Sequence, residues 1–170
     1  TIYAEHSVIV RASKFFNKGE KEIQLQHAFS SALDIPAGDY EIMHMHGTWA
    51  REFNVQRIEV PQGRFVVDSA RGASSATHNP FLALLQKGTT EDFGTVYATA
   101  LIYSGNFAVT VEKGEFDNVR LLAGINPFNF NWQLKPGETF ETPEALHVYA
   151  DKGLRNMSRI WHEFVRDKIS

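Results

Sequence analysis

Residues 94–122, GTVYATALIYSGNFAVTVEKGEFDNVRLL, contain the pattern of short strands and turns that recurs along this chain. Two runs rich in β-branched and aromatic residues, 94–103 and 107–112, flank the turn residues Ser104-Gly105-Asn106. The second run is predicted to pair across Lys113-Gly114 with residues 116–122. On both sides of this segment, similar short runs end in a turn about every ten residues. The sequence therefore predicts an all-β fold, an antiparallel β-sandwich.

Two other strand patterns give finer predictions. Residues 8–16 and the alternating segment 22–29 flank the turn signal Asn17-Lys18-Gly19-Glu20, which predicts that these two segments form a hairpin with each other. Residues 40–60 are predicted as extended chain with a bulge or bend near Gly47.

The end of the chain changes to a helical period. Apolar residues there fall on one stripe at helical spacing, namely Leu154, Met157, Ile160, Trp161, Phe164, Val165 and Ile169. We therefore expect one C-terminal α-helix, whose apolar face packs either on the sandwich or on a following domain. The predicted organisation is a sandwich over residues 1–150 and an amphipathic helix over residues 151–170.

Composition narrows the class of protein. The chain has 170 residues, 43% of them hydrophobic, no cysteine and a formal net charge of -3. This length fits one domain, whose packing must stabilise it without disulfides. A pI near 6.1 and scattered arginines argue against a nucleic-acid partner. No apolar run is long enough to span a bilayer, so no membrane partner is expected.

The start of the chain bears on localisation. It has neither an initiator methionine nor the basic and apolar regions of a signal peptide, so we expect an excised piece of a longer protein. The absence of cysteine is compatible with a reducing compartment, and we expect a cytoplasmic location.

A polar loop at residues 71–81, RGASSATHNPF, is the main candidate site. Arg71, His78 and Asn79 could bind a sugar or an anion, or they could satisfy the backbone carbonyls of the loop itself. Trp49 and Arg51, on the preceding strands, present the same choice. An exposed tryptophan would be a stacking platform for a sugar, whereas a buried one would belong to the core.

Other chemistry-bearing residues do not form a recognisable catalytic set. His44 and His46 lie on the same face of a strand, but no third ligand is close in sequence, so no metal site is predicted. Ser74 and Ser75 lack the context of a nucleophile elbow. Acids near turns and strand ends are candidates for glycoside hydrolysis, but no spacing selects a pair among Asp34, Asp39, Glu41, Glu91, Asp92, Glu112, Glu115 and Asp117.

Three segments resemble the N-terminal domain of the α-galactosidases of glycoside hydrolase family 36. They are Arg71-Gly72-Ala73-Ser74-Ser75 with His78-Asn79-Pro80-Phe81-Leu82-Ala83-Leu84, then Tyr103-Ser104-Gly105-Asn106-Phe107, and finally residues 124–144, which begin Gly124-Ile125-Asn126-Pro127-Phe128. The resemblance covers nearly the whole chain. It implies the later part of a galactose-mutarotase-like β-supersandwich, followed by a helix that leads to a catalytic β/α barrel.

The same resemblance sets the functional expectation. It implies a parent enzyme that hydrolyses melibiose- and raffinose-type α-galactosides with retention, without metal or organic cofactor. The family's catalytic aspartates lie on the barrel, and its Lys-Trp-Asp segment does not occur here, so no catalytic residue is assigned to this chain. Expected partners are the catalytic barrel, neighbouring subunits of a homo-oligomer, expected to be a tetramer, and α-galactosides. Candidate sugar or interface contacts are Trp49, Arg51, Arg71, His78 and Asn79.

A second interpretation remains open at this stage. The chain could be a free-standing carbohydrate-binding or oligomerisation sandwich. Such a module would expose aromatic faces and bind galactosides by itself.

Overall fold

A computed structural model describes residues 1–168 of the protein, which contain fifteen β-strands and one α-helix. The strands are β1 (Ile2–Tyr3), β2 (Val8–Arg11), β3 (Lys14–Phe16), β4 (Ile23–Leu25), β5 (Phe29–Ile35), β6 (Tyr40–Thr48), β7 (Arg51–Glu59), β8 (Gly63–Asp68), β9 (His78–Gln86), β10 (Val96–Ile102), β11 (Phe107–Lys113), β12 (Val119–Ile125), β13 (Trp132–Leu134), β14 (Thr139–Glu141) and β15 (Glu144–Ala150). The helix α1 spans Gly153–Lys168. Ile169, which the sequence places on the helical stripe, lies outside the described residues.

The strands form two main sheets that pack face to face. The large sheet has the order β1-β2-β15-β10-β9-β6-β7, and the small sheet has the order β5-β12-β11-β8. Pairs β13 with β4 and β14 with β3 form two minor ribbons. Strand pairing in both main sheets is antiparallel. The predicted antiparallel β-sandwich is confirmed.

Alternation along the strands creates two apolar layers. In β10, Leu101 faces the small sheet, whereas Val96 and Ala98 face the helix. Fully buried residues such as Phe107 and Leu121 fill the space between the sheets. The large sheet is therefore the middle layer, because each of its faces buries side chains against a different neighbour.

The helix covers the outer face of the large sheet. Met157 and Phe164 are buried in the second apolar cluster, and the Phe164 ring meets Tyr3 edge-on at 5.0 Å between centroids. Trp161 packs perpendicular to Phe81 at 5.9 Å. The sandwich itself is thus the partner of the amphipathic stripe. No helix within residues 1–168 has the length and apolar character needed to cross a membrane.

One of the predicted hairpins is confirmed and one is wrong. Strands β11 and β12 pair from Phe107↔Ile125 to Lys113↔Val119, as expected from their turn. Segments 8–16 and 22–29 do not pair with each other: β2 pairs with β15, β3 with β14 and β4 with β13. The turn signal does reverse the chain, but Asn17 Nδ2 donates to both Lys21 O and Leu134 O and so fixes the loop against the β13 segment.

Residues 40–60, predicted as extended chain, also differ from that prediction in the structure. It reverses direction to form the β6–β7 hairpin, with Thr48 opposite Arg51. The bulge predicted near Gly47 is present, because the register shifts between His46 and Thr48.

Candidate binding and interface site

The tip of the β6–β7 hairpin, residues 48–53, presents two large apolar side chains to solvent. Trp49 is 91% exposed and Phe53 is 63% exposed. Ala50 and Phe53 adopt φ angles of 62° and 59°, in the left-handed region that residues with a Cβ seldom occupy. Backbone strain of this kind tends to persist where a functional geometry is held in place by its surroundings. The tip is therefore the leading candidate contact surface.

Local contacts explain how the tip keeps this shape. A Cβ at Gly47 would collide with Arg51 O and lie 2.8 Å from Glu52 Cα, so only glycine fits there. Glu52 Oε1 accepts the Ala50 N–H at 3.0 Å, and Asn54 Nδ2 donates to Arg51 O at 2.6 Å. Both bonds satisfy backbone groups that strand pairing cannot reach at a turn.

The polar loop adjoins this hairpin just below its tip. The Gly47 N–H donates to Thr77 O at 3.2 Å, which joins the hairpin to the residues just before β9. Ser69 Oγ, just before the loop, donates to Ala73 O at 2.6 Å, and the Gly72 N–H donates to Asn106 Oδ1 in the β10–β11 turn at 2.6 Å. Polar groups on both sides of the loop therefore hold its backbone in shape.

Asn126, in the third segment of the family resemblance, is bonded to the second segment and to residues 68–69, just before the first segment. Its Nδ2 donates to Asp68 Oδ2 and to Ser69 O, each at 3.0 Å. Its Oδ1 accepts the Phe128 N–H, and its own N–H donates to Asn106 O. Asn126 belongs to one of the motifs found in the sequence, but the sequence does not indicate this role, because Asn106, Ser69 and Asp68 are 20 to 58 residues away.

Of the five predicted contact residues, four lie at the same end of the neighbouring strands β6, β7 and β9. Trp49 and Arg51 lie at the exposed hairpin tip, and His78 and Asn79 begin β9, which pairs with β6. Arg71 is exposed beside Gly72, in the part of the loop that is bound to Asn106.

The polar groups of His78 and Asn79 differ in their partners. The Nδ1 atom of His78 lies 3.2 Å from Asp68 O, so this ring nitrogen satisfies a backbone carbonyl next to the loop. The Oδ1 atom of Asn79 is buried and has no hydrogen-bond partner within residues 1–168.

His44, His46 and His78 form a cluster that the sequence did not predict. The His44 ring lies 5.8 Å from that of His46 and 6.0 Å from that of His78, between centroids. Burial, followed by the charges of His78 and His46, lowers the pKa of His44 below its ordinary value. In the part of the chain that the structure describes, no three His, Cys, Asp or Glu residues are placed to hold a metal ion.

The candidate carboxylates lie on the surface, and several are neutralised there. Asp34, Glu41, Asp92, Glu112 and Asp117 each form an ion pair with a lysine or arginine. Hydrogen bonding from Arg120 lowers the pKa of Asp34. A general acid for glycoside hydrolysis needs the opposite shift, a raised pKa.

An apolar cavity of about 380 Å³ is lined by β1, β2, β10 and β15 of the large sheet and by β5 and β12 of the small sheet. Its walls include Ile9, Leu33, Tyr97 and Tyr149. Asp34 is its only carboxylate among the described lining residues, and Arg120 holds that group. The cavity therefore lacks the pair of acids that sugar hydrolysis requires.

The two packed antiparallel sheets and the covering helix define a β-sandwich domain. Residues 1–135 match the glycosyl hydrolase family 36 N-terminal domain, and the chain belongs to that family. The α-galactosidase AgaA of Geobacillus stearothermophilus is 42% identical over 170 residues, which are 100% of this chain and 23% of that protein. The α-galactosidase Mel36A of Lactobacillus acidophilus is 41% identical over 99% of this chain and 23% of its own length.

Solved structures agree with this membership. A crystal structure of a variant of AgaA in complex with stachyose matches 99% of this chain and 23% of its own, with a TM-score of 0.96 and 42% identity. The α-galactosidase from Lactobacillus brevis matches 97% of this chain and 22% of its own, with a TM-score of 0.95 and 38% identity. The chain thus spans less than a quarter of the length of these relatives. The family resemblance predicted from the sequence is confirmed.

Proposed function

We propose that this chain is a non-catalytic sandwich portion of an α-galactosidase. The complete polypeptide would hydrolyse terminal α-galactosyl residues of melibiose- and raffinose-type sugars with retention. The observation that carries this proposal is the similarity of the entire chain to α-galactosidases of which it covers only 23%.

The carboxylates of the described residues support a non-catalytic role. Retaining hydrolysis uses two carboxyl groups about 5–5.5 Å apart, one of which must hold its proton at neutral pH. Here Arg120 lowers the pKa of Asp34, and Lys87 lowers the pKa of Glu59. We therefore assign the catalytic acids to a β/α barrel that follows helix α1, in keeping with the predicted organisation of a sandwich over residues 1–150 and a connecting helix over residues 151–170.

The hairpin tip gives this portion a specific task within the proposed enzyme. Trp49 offers an open aromatic face, and Arg51, exposed two residues later in the same tip, carries planar donors. Together with Arg71, His78 and Asn79, they are proposed to contact either bound sugar or a neighbouring subunit of a homo-oligomer. Both contacts would use the same chemistry, because aromatic faces and arginine are favoured in sugar sites and in subunit interfaces.

The 91% exposure of Trp49 also favours a second candidate function. In that case the chain would bind galactosides alone, as a carbohydrate-binding sandwich. Titration of the protein with raffinose, followed through the indole N–H resonances, separates the two functions. Sucrose is the control, because it lacks the α-galactosyl group.

The proposal predicts no saturable shift of the Trp49 resonance with either sugar. A saturable shift with raffinose alone would establish the binding module instead. Self-association in the absence of sugar, abolished by Trp49→Ala, would favour the oligomerisation role.

A further inference from the structure

Three imidazoles lie together next to the tip of the β6–β7 hairpin. His44 and His46 belong to β6, and His78 is the register partner of His46 on β9. The strand pairing is irregular at this point: the β6–β9 register shifts between His44 and His46, and the β6–β7 register shifts between His46 and Thr48. Pairing is thus interrupted next to the histidines, because a bulge leaves backbone groups unpaired.

His44 is the buried member of the cluster. It is only 5% exposed, its ring lies 5.5 Å from that of Phe65 on β8, and its Nδ1 atom has no hydrogen-bond partner within residues 1–168. Such a site accommodates a neutral ring and opposes a charged one, because burial without a counter-ion penalises charge.

Within residues 1–168, no carboxylate acts on the titration of His44. The groups that act on its titration are His78 from β9, His46 from β6 and the uncharged Gln56 from β7. Asp68 on β8 accepts from Asn126 through its carboxylate and meets His78 through its backbone oxygen. A proton taken up by His44 therefore meets two other imidazoles about 6 Å away, and no carboxylate of residues 1–168 offsets its charge.

We propose that His44, His46 and His78 form a pH-dependent latch that holds the hairpin tip in place while the three rings are neutral and releases it when they become protonated. An unperturbed histidine acquires its charge between about pH 8 and pH 5. Burial lowers the pKa of His44, so the latch opens as the pH falls towards the acid end of this range. The added charge drives His44 out of its buried site, and the bulged pairs beside it separate first. The tip residues 48–53 lose their fixed geometry as a result.

The latch goes beyond the proposed function, because it does not depend on what the tip contacts. It is a property of the hairpin itself and can be measured without sugar or a second subunit. Failure of the latch would leave the α-galactosidase assignment untouched, and the reverse also holds.

Hydrogen exchange of backbone amides in the protein tests the latch, with protection factors corrected for the intrinsic rate at each pH. The β11–β12 hairpin is the internal reference, because it contains no histidine. We expect protection of the β6–β7 amides, relative to β11–β12, to fall about tenfold between pH 8 and pH 5. Equal changes in both hairpins would overturn the proposal, since global destabilisation affects them alike.

Two substitutions identify the source of the effect. His46→Gln and His78→Gln each remove one charge from the cluster and are expected to reduce the relative change to about threefold or less. His27→Gln, at an exposed position outside the cluster, is the matched control and should keep the full change. A full change in the two cluster variants would overturn the latch even if the parent protein behaves as expected.

Discussion

His147 Nε2 lies 2.8 Å from Ser31 Oγ, and this contact joins the large sheet to the small sheet through the core. The other ring nitrogen, Nδ1, lies 2.8 Å from Thr99 Oγ1 on the adjacent strand. The ring is buried, and burial, with a smaller contribution from the positive charge of Arg11, lowers its pKa to about 4. The fold therefore holds a neutral histidine between its two layers.

This histidine should make stability depend on pH. Its pKa in the folded protein lies below the ordinary value of 6.5, so the unfolded chain binds the proton first. The stabilisation is fully present above about pH 6.5 and is lost as the pH falls towards 4, with a total of about 3 kcal/mol. Urea unfolding of the protein across this range measures the loss.

The His147→Gln variant provides the comparison. Glutamine retains hydrogen-bonding groups but does not titrate, so the variant should lose about 3 kcal/mol less than the parent between neutral pH and pH 4. Carboxylates titrate in the same way in both proteins, so their contributions to the free energy of unfolding cancel in the comparison. An identical pH dependence in parent and variant would show that His147 does not carry the effect.

Gly47→Ala should destabilise the protein by about 2 kcal/mol, because the added methyl group meets backbone atoms that cannot move aside cheaply. The nearest of these belong to Arg51 and Glu52 across the hairpin. Gly19→Ala is the control: its nearest neighbour is the side-chain oxygen of Asn17 at 3.2 Å. Denaturant unfolding measures both free energies, and equal values would contradict the close approach at the hairpin tip.

Phe164→Ala should lower the free energy of unfolding by about 3–4 kcal/mol. The side chain is buried among the helix-facing residues of the large sheet and packs edge-on to Tyr3. Arg159→Ala, on an exposed position of the same helix, should change stability by less than about 0.5 kcal/mol. A small effect of the Phe164 substitution would mean that the helix does not cover this sheet in solution.

Trp49→Ala should separate stability from function. Because the side chain is exposed, the free energy of unfolding should change by less than about 0.5 kcal/mol. In the complete enzyme, hydrolysis of raffinose or subunit assembly should decrease about tenfold or more, as expected for an exposed anchor that becomes buried in a contact. The matched control is Phe116→Ala, since Phe116 is 80% exposed in the β11–β12 turn.

Enzyme kinetics and sedimentation on the two variants measure these effects. Equal activity and assembly in both variants would remove the proposed role of the tip. A loss in the Phe116 variant as large as that in the Trp49 variant would indicate a general effect of surface aromatic residues.

Local patterns in the sequence were sufficient for much of the fold. Alternation in β10, β11 and β12, with short turns between them, predicts the sandwich, because side-chain period and turn chemistry act over a few residues. The helical stripe from Leu154 to Phe164 is equally local. The pairing of β3 with β14 and β4 with β13 was missed, because those partners are more than 100 residues apart and no adjacent turn specifies them.

The candidate site shows the same limit. The sequence singled out Trp49 and His78, but the exposure of Trp49 follows from the reversal of the chain between β6 and β7. His78 meets His44 and His46 only through the β6–β9 register, which is set by tertiary packing. Spacing along β6 predicts the pair His44 and His46, but it cannot predict that His78 joins them.

We propose that this chain supports an α-galactosidase without supplying its reactive acids. Hydrolysis of an aryl α-galactoside is the decisive assay, with the 170-residue chain and the complete polypeptide compared at equal molar concentration. We expect turnover by the complete polypeptide and no release of the aryl group above background by the chain alone. Release of the aryl group by the chain alone would show that the reactive acids lie within these residues.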